Sequence, residues 1–401
     1  MSTTEIALPI RACPICESAA RKPLFHQQFA PIAGATIVTG YDVVTCENCG
    51  FAYADGLPDQ RVFDDYYRAA SKYEYHQRDG EESSFDRSRM SDIADLIVPL
   101  IPRRDARILD IGCATGRLLY VLKERGFADV TGLDPSPACA DAAQRLYGVP
   151  VLRGSMAEFP EMDSHFDVAI MIGVLEHIRD LDMAMQRLRS VLRHGGIAYV
   201  EVPNAIDFHR WQNAPFQDFS IEHINFFAPI SLENLFARYG FEPVFWKEHE
   251  RDQAYRTTMS CLSAAFRVVD QKSREIKYDA DSRVALERYV SQCEEEEKRV
   301  HAMIEELVES RQPIIVWGVG TNATRLLETT RLREANIRFF VDSNSRYHGK
   351  ELAGRRVLPP AALASEADPI LILSRVFQTE ISEQIRTQVD PHRKILTLYD
   401  V

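Results

Sequence analysis

The stretch Asp110-Ile-Gly112-Cys-Ala-Thr-Gly116 decides the fold of this chain. It follows a short apolar segment from Arg107 to Ile111 and precedes a helical run from Leu118. A strand, a turn of small residues and a helix predict a nucleotide-binding βα unit, because small residues let the backbone approach a ligand closely. The Gly-x-Gly-x-x-Gly fingerprint of dehydrogenases is absent. An acid before the first glycine suits a sulfonium cation better than a pyrophosphate.

The same alternation of strands and helices continues along the chain. Further strands are predicted over 130–133, 149–152, 166–171 and 197–202, with helices over 137–146 and 181–192, the latter ending at a glycine pair, 195–196. Repeated βα units of this size predict a doubly wound, mainly parallel sheet. A second strand and glycine turn, Pro313-Ile-Ile-Val-Trp-Gly-Val-Gly320, opens a smaller Rossmann-like region that runs to Val401.

A long charged helix is predicted from Asp281 to Ser310. Its apolar positions trace a seam that is interrupted at Glu297, and such a seam packs against a neighbouring domain or, less commonly, forms a dimer. With this helix as a linker, the predicted domains are a zinc-binding module and aromatic segment over 1–75, a cofactor-binding domain over 76–260, and the helical linker with the Rossmann-like domain over 261–401. The expected assembly is a monomer or a homodimer.

Four of the eight cysteines form two close pairs, Cys13/Cys16 and Cys46/Cys49. Two Cys-x-x-Cys pairs supply four thiolates, which suits a tetrahedral structural Zn²⁺ site with no open coordination position. The long spacing between the pairs predicts strands between them. Four ordinary reduced thiols are the alternative interpretation.

Charge and hydropathy exclude several classes of function. The formal net charge is −12 at a pI of about 5.5, and no block of Lys and Arg offers the basic surface that nucleic-acid binding requires. No apolar run reaches membrane-spanning length, and the first eleven residues lack the features of a signal peptide. We therefore expect a cytoplasmic protein that binds neither nucleic acid nor membrane.

The run 107–202 resembles the class I methyltransferases. The resemblance rests on the Asp-x-Gly-x-x-x-Gly turn, the acid Asp134 after the second strand, Gly-Ser-Met-Ala-Glu158, and Gly173-Val-Leu-Glu-His177 after the fourth strand. It implies S-adenosylmethionine (SAM) as cofactor, with the turn holding the methionine part, Asp134 the ribose and the stretch around Met156 the adenine. The cofactor-binding residues it implies are Asp110, Gly112, Ala114, Gly116, Asp134, Pro135, Met156, Ala157 and Gly173.

The whole chain resembles a narrower family, the zinc-containing sugar C-methyltransferases. These enzymes combine a two-knuckle zinc module, a methyltransferase domain and a smaller Rossmann-like domain, and they methylate C-3 of nucleotide-linked 4-keto-deoxysugars. The local match is Ser220-Ile-Glu222-His223-Ile-Asn-Phe-Phe227, which resembles their Tyr-x-Glu-His signature. Ser220 stands where the family has tyrosine, and the turn from Gly318 to Asn322 departs from the family's form. The resemblance implies a nucleotide-linked sugar as substrate.

Methylation of a carbon beside a ketone requires a base and a group that stabilises the enolate. We predict His223 as the base, Glu222 as a group that holds a sugar hydroxyl or orients a neighbour, and His177 as an enolate-stabilising group or alternative base. Predicted substrate contacts are Tyr75, Ser220 and Asn225. Tyr75 belongs to a tyrosine-rich segment that either packs between domains or covers the cofactor.

Three other functions remain open. O- or N-methylation of a sugar or another small polar metabolite also uses a base, and the serine at position 220 keeps this possibility open. An RNA methyltransferase with a zinc recognition module conflicts with the acidic composition. A non-enzymatic scaffold whose second Rossmann-like region binds a nucleotide or a protein is the third.

Overall fold

The computed structural model describes residues 10–69, 84–159, 165–210, 213–254, 257–270, 273 and 275–400. Tyr75 and the predicted boundary between residues 75 and 76 lie outside these residues. Among the described helices, none is long and apolar enough to cross a membrane.

The N-terminal module is a small antiparallel sheet between and after the cysteine pairs. Its elements are β1 (Arg21–Gln28), β2 (Gly40–Cys46), β3 (Ala52–Asp55) and α1 (Gln60–Ala69). Strand β2 pairs antiparallel with both β1 and β3. Because β1 and β2 occupy the interval between Cys16 and Cys46, the prediction of strands between the two pairs is confirmed.

The central region alternates strands and helices, as the sequence predicts. Its elements are α2 (Ser84–Ile97), β4 (Ile108–Ile111), α3 (Arg117–Glu124), β5 (Val130–Asp134), α4 (Pro137–Tyr147), β6 (Val151–Arg153), β7 (Phe166–Ile172), α5 (Leu181–Val191), β8 (Leu192–Pro203), β9 (Asn225–Phe226), α6 (Pro229–Arg238), β10 (Phe241–Ala254) and β11 (Thr257–Val268). The sheet order is β6-β5-β4-β7-β8-β11-β10. Strands β6 to β8 are parallel along this order, whereas β11 is antiparallel to both of its neighbours.

This order confirms a doubly wound α/β fold. The chain starts at β4 in the middle of the sheet, moves outward through β5 and β6, and then returns to add β7 on the other side of β4. The strand order therefore reverses beside β4. Ligands of such sheets bind at the carboxyl ends of the strands at this point of reversal.

Two predicted boundaries change in the structure. Helix α5 ends at Val191, and the glycine pair at 195–196 lies inside β8 instead of in a turn after the helix. The predicted domain limit between residues 260 and 261 falls inside β11, which pairs with β8 from Cys261↔Pro203 to Arg267↔Ile197. The central sheet therefore extends to Val268.

The C-terminal region forms a second parallel sheet. Its elements are α7 (Asp281–Ser310), β12 (Ile314–Trp317), α8 (Thr321–Thr329), β13 (Ile337–Val341), β14 (Glu351–Leu352), β15 (Arg355–Leu358), β16 (Ile370–Ile372), α9 (Gln378–Gln388) and β17 (Ile395–Thr397). The order is β14-β15-β13-β12-β16-β17. All neighbouring pairs are parallel except β14 and β15. The prediction of a second Rossmann-like region is confirmed.

Helix α7 has the predicted bounds and connects two hydrophobic cores. Leu286 and Cys293 pack with aromatic residues that follow the central sheet, whereas Val300 and Ile304 belong to the core of the C-terminal sheet. Glu297, where the apolar seam is interrupted, forms an ion pair with the buried Arg325 of α8. The seam therefore serves packing between domains.

The start of α7 is fixed against the second cysteine pair. The amide of Asp279 donates a hydrogen bond to the carbonyl of Cys49 at 2.9 Å, and the Asp279 carboxylate accepts hydrogen bonds from the amides of Asp281 and Ser282. Gly50 has φ +79°, and a Cβ atom there would lie 2.0 Å from the carbonyl oxygen of Asp279. Only glycine fits at position 50.

We expect Gly50→Ala to destabilise the protein much more than Gly56→Ala. Gly56 also has positive φ, at +71°, but a Cβ atom there would meet nothing within 4 Å. Gly56→Ala should therefore cost only the left-handed backbone penalty of about 1–2 kcal/mol, whereas Gly50→Ala adds an atomic overlap that must separate α7 from the cysteine pair. Thermal unfolding midpoints measure the difference, and equal midpoints for the two variants would contradict it.

Candidate active site

The glycine turn at the carboxyl end of β4 has the geometry of a ligand cradle. Gly112 and Gly116 adopt φ of +73° and +77°, and Ala114 adopts +49° between them. A Cβ atom at Gly112 would lie 2.7 Å from Val174, and one at Gly116 would lie 2.5 Å from Val149. These positions therefore require glycine because of both backbone conformation and space.

Asp134, at the end of β5, holds this turn in place. Its Oδ2 accepts a hydrogen bond from the Ala114 amide at 2.8 Å, and its Oδ1 accepts one from the Ser136 amide at 2.9 Å. Pro135 lies between Asp134 and Ser136, whose side chain caps α4. The carboxylate thus stabilises the left-handed backbone at Ala114. The predicted contact of Asp134 with a ribose stays a prediction.

Asp110 is the buried acid of the turn. It is 3% exposed, and burial together with repulsion from Asp134 raises its pKa to about 8. Within the described part of the chain, its carboxylate accepts no hydrogen bond. A buried carboxyl group without a partner at the ligand-binding edge of a sheet is suited to a cationic ligand, which would restore its charged form.

A small cavity adjoins Asp110. Its volume is about 50 Å³, and it lies between the glycine turn and the residues Asp86, Arg89 and Met90 of α2. Pockets that hold ligands usually measure roughly 300 Å³ or more. The cavity is therefore smaller than a site that encloses a ligand of nucleoside size.

The remaining predicted cofactor residues follow β6 and β7 at the same edge of the sheet. Met156 is buried at 5% exposure, and the amide of Ala157 donates to Oγ of Ser155 at 3.2 Å in the loop after β6. Gly173, with φ +67°, follows β7. A Cβ atom at Gly173 would lie 3.6 Å from Oε1 of Glu176.

His177 and His223 come together beyond this edge, although they lie far apart in the sequence. Their ring centroids are 4.9 Å apart with an edge-to-face arrangement. One ligand-type atom each of Glu176, His177 and His223 lies within 4.8 Å of the others. We call these three residues the acid–base cluster.

Glu176 is the carboxylate of the acid–base cluster. It is 3% exposed, its Oε2 is buried without a hydrogen-bond partner, and burial raises its pKa. Glu176 belongs to the motif Gly173-Val-Leu-Glu-His177, in which the sequence alone indicates no role for this carboxylate. Its position directly before the predicted site residue His177 is the feature of the sequence that indicates a place in the site.

Two tyrosines of α1 complete the cluster. The Tyr66 hydroxyl donates to Oε1 of Glu222 at 2.7 Å, and the Tyr67 hydroxyl lies 3.0 Å from Nδ1 of His177. Burial and the nearby Glu222 raise the pKa of both hydroxyls, so both stay protonated. The sequence predicts Tyr75 at the site; Tyr66 and Tyr67, in the same tyrosine-rich segment, are the described residues that reach it.

The loop that carries Glu222 and His223 is folded by Ser220. The Ser220 hydroxyl oxygen accepts hydrogen bonds from the amides of Glu222 and His223 at 3.3 and 3.0 Å. Asn225 is 2% exposed, and its amide donates to the carbonyls of Leu175 and Ile178. The geometry favours a supporting role for Asn225 over the predicted substrate contact, since both of its donors are used.

Arg11 connects the loop of Glu222 and His223 to the N-terminal module through hydrogen bonds. Its guanidinium donates to Oδ1 of Asn225 at 3.0 Å and to the carbonyls of Ile224 and Arg179. Strand β9 follows the loop directly and pairs with β3, so that Ala52 opposes Phe226. The module that contains the cysteines therefore positions Glu222 and His223.

The four cysteine sulfurs of the N-terminal module converge on one point. Sγ of Cys13 lies 3.6 Å from that of Cys49, and Sγ of Cys16 lies 3.4 Å from that of Cys46. All four lie within 4.8 Å of one another. Tetrahedral Zn–S bonds of about 2.3 Å separate sulfurs by about 3.8 Å, so the cluster is compatible with zinc.

Comparison with known proteins agrees with the geometry. A family model described as a methyltransferase domain matches residues 84–244. A second model, described as C2185-like, N-terminal, matches residues 310–396. The first match covers the glycine turn, Asp134 and the acid–base cluster. Residues 84–244 form a methyltransferase domain.

Individual relatives differ in how much of the chain they match. The C-methyltransferase NovU of Streptomyces niveus is 25% identical over 87% of this chain and 83% of its own length. A ubiquinone biosynthesis O-methyltransferase of Azorhizobium caulinodans is 33% identical, but over 26% of this chain and 43% of its own length. The solved 1,6-didemethyltoxoflavin-N1-methyltransferase of Burkholderia thailandensis is 21% identical with a TM-score of 0.42, over 56% of this chain and 97% of that one.

In this methyltransferase, we expect Asp110 to make SAM binding dependent on pH. The protonated carboxyl group cannot balance the sulfonium charge, so affinity should fall as the pH falls below the Asp110 pKa of about 8 and level off above it. The decrease should approach tenfold per pH unit. Asp110→Asn should bind more weakly and lose this dependence.

The test is calorimetry of SAM with both proteins across this range. The ratio of the two affinities at each pH removes the titration of the cofactor itself. A ratio that does not change with pH would rule out Asp110 as the titrating group.

Proposed function

We propose that this methyltransferase transfers a methyl group to carbon beside the keto group of a nucleotide-linked deoxysugar. The observation that carries the proposal is the acid–base cluster, in which His223 and His177 lie beside Glu176 at the carboxyl edge of the cofactor-binding sheet. C-methylation needs both a base and a group that stabilises an enolate. The extended match to a protein named a C-methyltransferase supports the same reaction.

The tautomer of His177 follows from its partners. Nδ1 of His177 lies 3.0 Å from the carbonyl oxygen of Glu222, and a carbonyl only accepts hydrogen bonds, so Nδ1 carries the proton. Nε2 therefore points towards Glu176, 4.0 Å from Oε1. With a second proton on Nε2, His177 can donate a hydrogen bond from that atom to an enolate oxygen.

His223 then acts as the general base. It takes the proton from the carbon beside the ketone, and the electron pair of that C–H bond moves onto the ketone oxygen, where His177 stabilises the negative charge. The bound cofactor supplies an electrophilic methyl group. The glycine turn with Gly112 and Gly116 would hold that cofactor, and alignment of the sugar carbon with its methyl group by the chain would lower the barrier to transfer.

We also propose that the four-cysteine cluster binds a structural Zn²⁺ ion. Its four thiolates leave no position for a substrate, so the metal would stabilise the N-terminal module. Because β3 of this module pairs with β9, zinc acts on catalysis through the position of His223.

Metal analysis of the purified protein should give about one zinc per chain. Cys46→Ser should lose the metal and most of the activity while SAM affinity changes little, because the glycine turn lies in a different sheet. Cys293→Ser, at a buried cysteine of α7, should retain the zinc. A folded, active, metal-free protein would refute the proposal, and a second equivalent of metal would indicate that the acid–base cluster binds one too.

His223→Asn should slow methylation by roughly 10²–10⁴-fold, the usual contribution of a general base. The wild-type enzyme with bound S-adenosylhomocysteine should exchange the sugar proton beside the ketone with deuterated solvent, and the variant should lose this exchange in parallel. NMR of a keto-deoxysugar nucleotide measures both. His194→Asn, at a histidine 69% exposed, is the matched control and should behave as wild type.

The outcomes separate the rival reactions. Near-normal rates in His223→Asn would move the base function to His177. A methyl group on oxygen, with no exchange at carbon, would refute C-methylation and support the O-methyltransferase alternative.

A further inference from the structure

Two cations of the C-terminal domain, Arg346 and Lys350, lie on one loop, and Arg346 reaches Tyr66 of α1. Burial and repulsion from Arg346 lower the pKa of Lys350. Among the described residues, neither side chain forms an ion pair with a carboxylate. By contrast, Arg299 and Arg375, which line a wide cleft elsewhere, pair with carboxylates of Asp400 and Glu296. An unbalanced pair of cations in a chain of net charge −12 indicates an anionic ligand. We call Arg346 and Lys350 the basic pair.

The loop that carries the basic pair is held by several hydrogen bonds. The Asp342 carboxylate accepts hydrogen bonds from the amides of Val319 and Asn344 at 3.0 and 2.8 Å. Oδ1 of Asn344 accepts one from the amide of Arg346 at 2.9 Å, and Nε2 of His348 donates to the carbonyl of Asp342 at 2.8 Å. The loop is therefore preorganised, which reduces the entropy lost on ligand binding.

Arg346 of the basic pair lies next to the residues of the candidate active site. The guanidinium carbon of Arg346 lies 4.4 Å from the centre of the Tyr66 ring, and the Tyr66 hydroxyl donates to Glu222. Stacking uses the face of the guanidinium and leaves its edge for an anion. Lys350 donates to the carbonyl of Gly34 at 2.9 Å, which uses one of the three donors of its ammonium group.

We propose that the basic pair binds a phosphate or diphosphate group attached to the methyl acceptor. This inference rests on the proposed function, and it assigns the anionic part of the substrate to the C-terminal domain. Two adjacent cations match a multiply charged phosphate group better than a single carboxylate. A phosphate attached to a sugar lies one ring away from the carbon that reacts, and Arg346 is separated from Glu222 by one tyrosine.

Binding of inorganic pyrophosphate tests this assignment without any methyl transfer. Calorimetry of the full chain with bound S-adenosylhomocysteine should show pyrophosphate binding. Arg346→Gln and Lys350→Gln should each weaken it roughly tenfold to a hundredfold, the effect of one charge-assisted hydrogen bond. Arg346→Lys should keep part of the affinity. Arg375→Gln, at an arginine paired with Glu296, should bind as wild type.

Failure of the phosphate assignment can be distinguished from failure of the proposed C-methylation, because pyrophosphate binding is measured without methyl transfer. Unchanged S-adenosylhomocysteine affinity shows that each variant is folded. Absence of pyrophosphate binding to the wild type, equal binding by Arg346→Gln, or tighter binding of malonate than of pyrophosphate would each overturn the assignment. Pyrophosphate binding that depends on the basic pair would support it even if the methylated atom proved to be oxygen.

Discussion

The arrangement of this active site depends on one buried guanidinium. Arg11 is 5% exposed and reaches Asn225 and the carbonyls of Ala54, Ile224 and Arg179. Its own amide donates to the carboxylate of Asp55 at 2.6 Å. A buried charge is tolerated only when its donors are satisfied, so each of these acceptors is fixed relative to the others. Cys13 follows two positions later, which places one cysteine pair next to the contact that holds the loop of Glu222 and His223.

The features that could be predicted most accurately from the sequence are those determined by local chemistry. The glycine turn, the acid after the second strand and the two cysteine pairs each have few alternative structures, because close backbone approach and thiolate coordination restrict the residues at those positions. Helix α7 could be predicted from Asp281 to Ser310 because apolar residues at helical spacing, interrupted at Glu297, recur along most of its length.

What depends on pairing between distant segments could not be predicted. Strand β9 has only two residues, and its partner β3 belongs to another module, so no periodicity identifies it. The fixed amide of Asn225 and the approach of Tyr66 to Glu222 depend on the same pairing. The sequence predicts the glycine pair at 195–196 as the end of a helix, because glycine commonly ends helices. In the structure, β8 begins directly after α5 and contains both glycines.

The contact between Arg11 and Asn225 also has a consequence for how the molecule acquires its activity. The two residues are 214 positions apart, and contacts at such separation form late because closing a long loop costs entropy before the contact stabilises it. During synthesis, the cysteine module leaves the ribosome long before the strand that completes its sheet. Until β9 is synthesised, strand β3 of the cysteine module therefore lacks one of its two partner strands. Glu222 and His223 reach their positions only after that strand is added, so the candidate site is completed by folding across modules instead of by folding of the central domain alone.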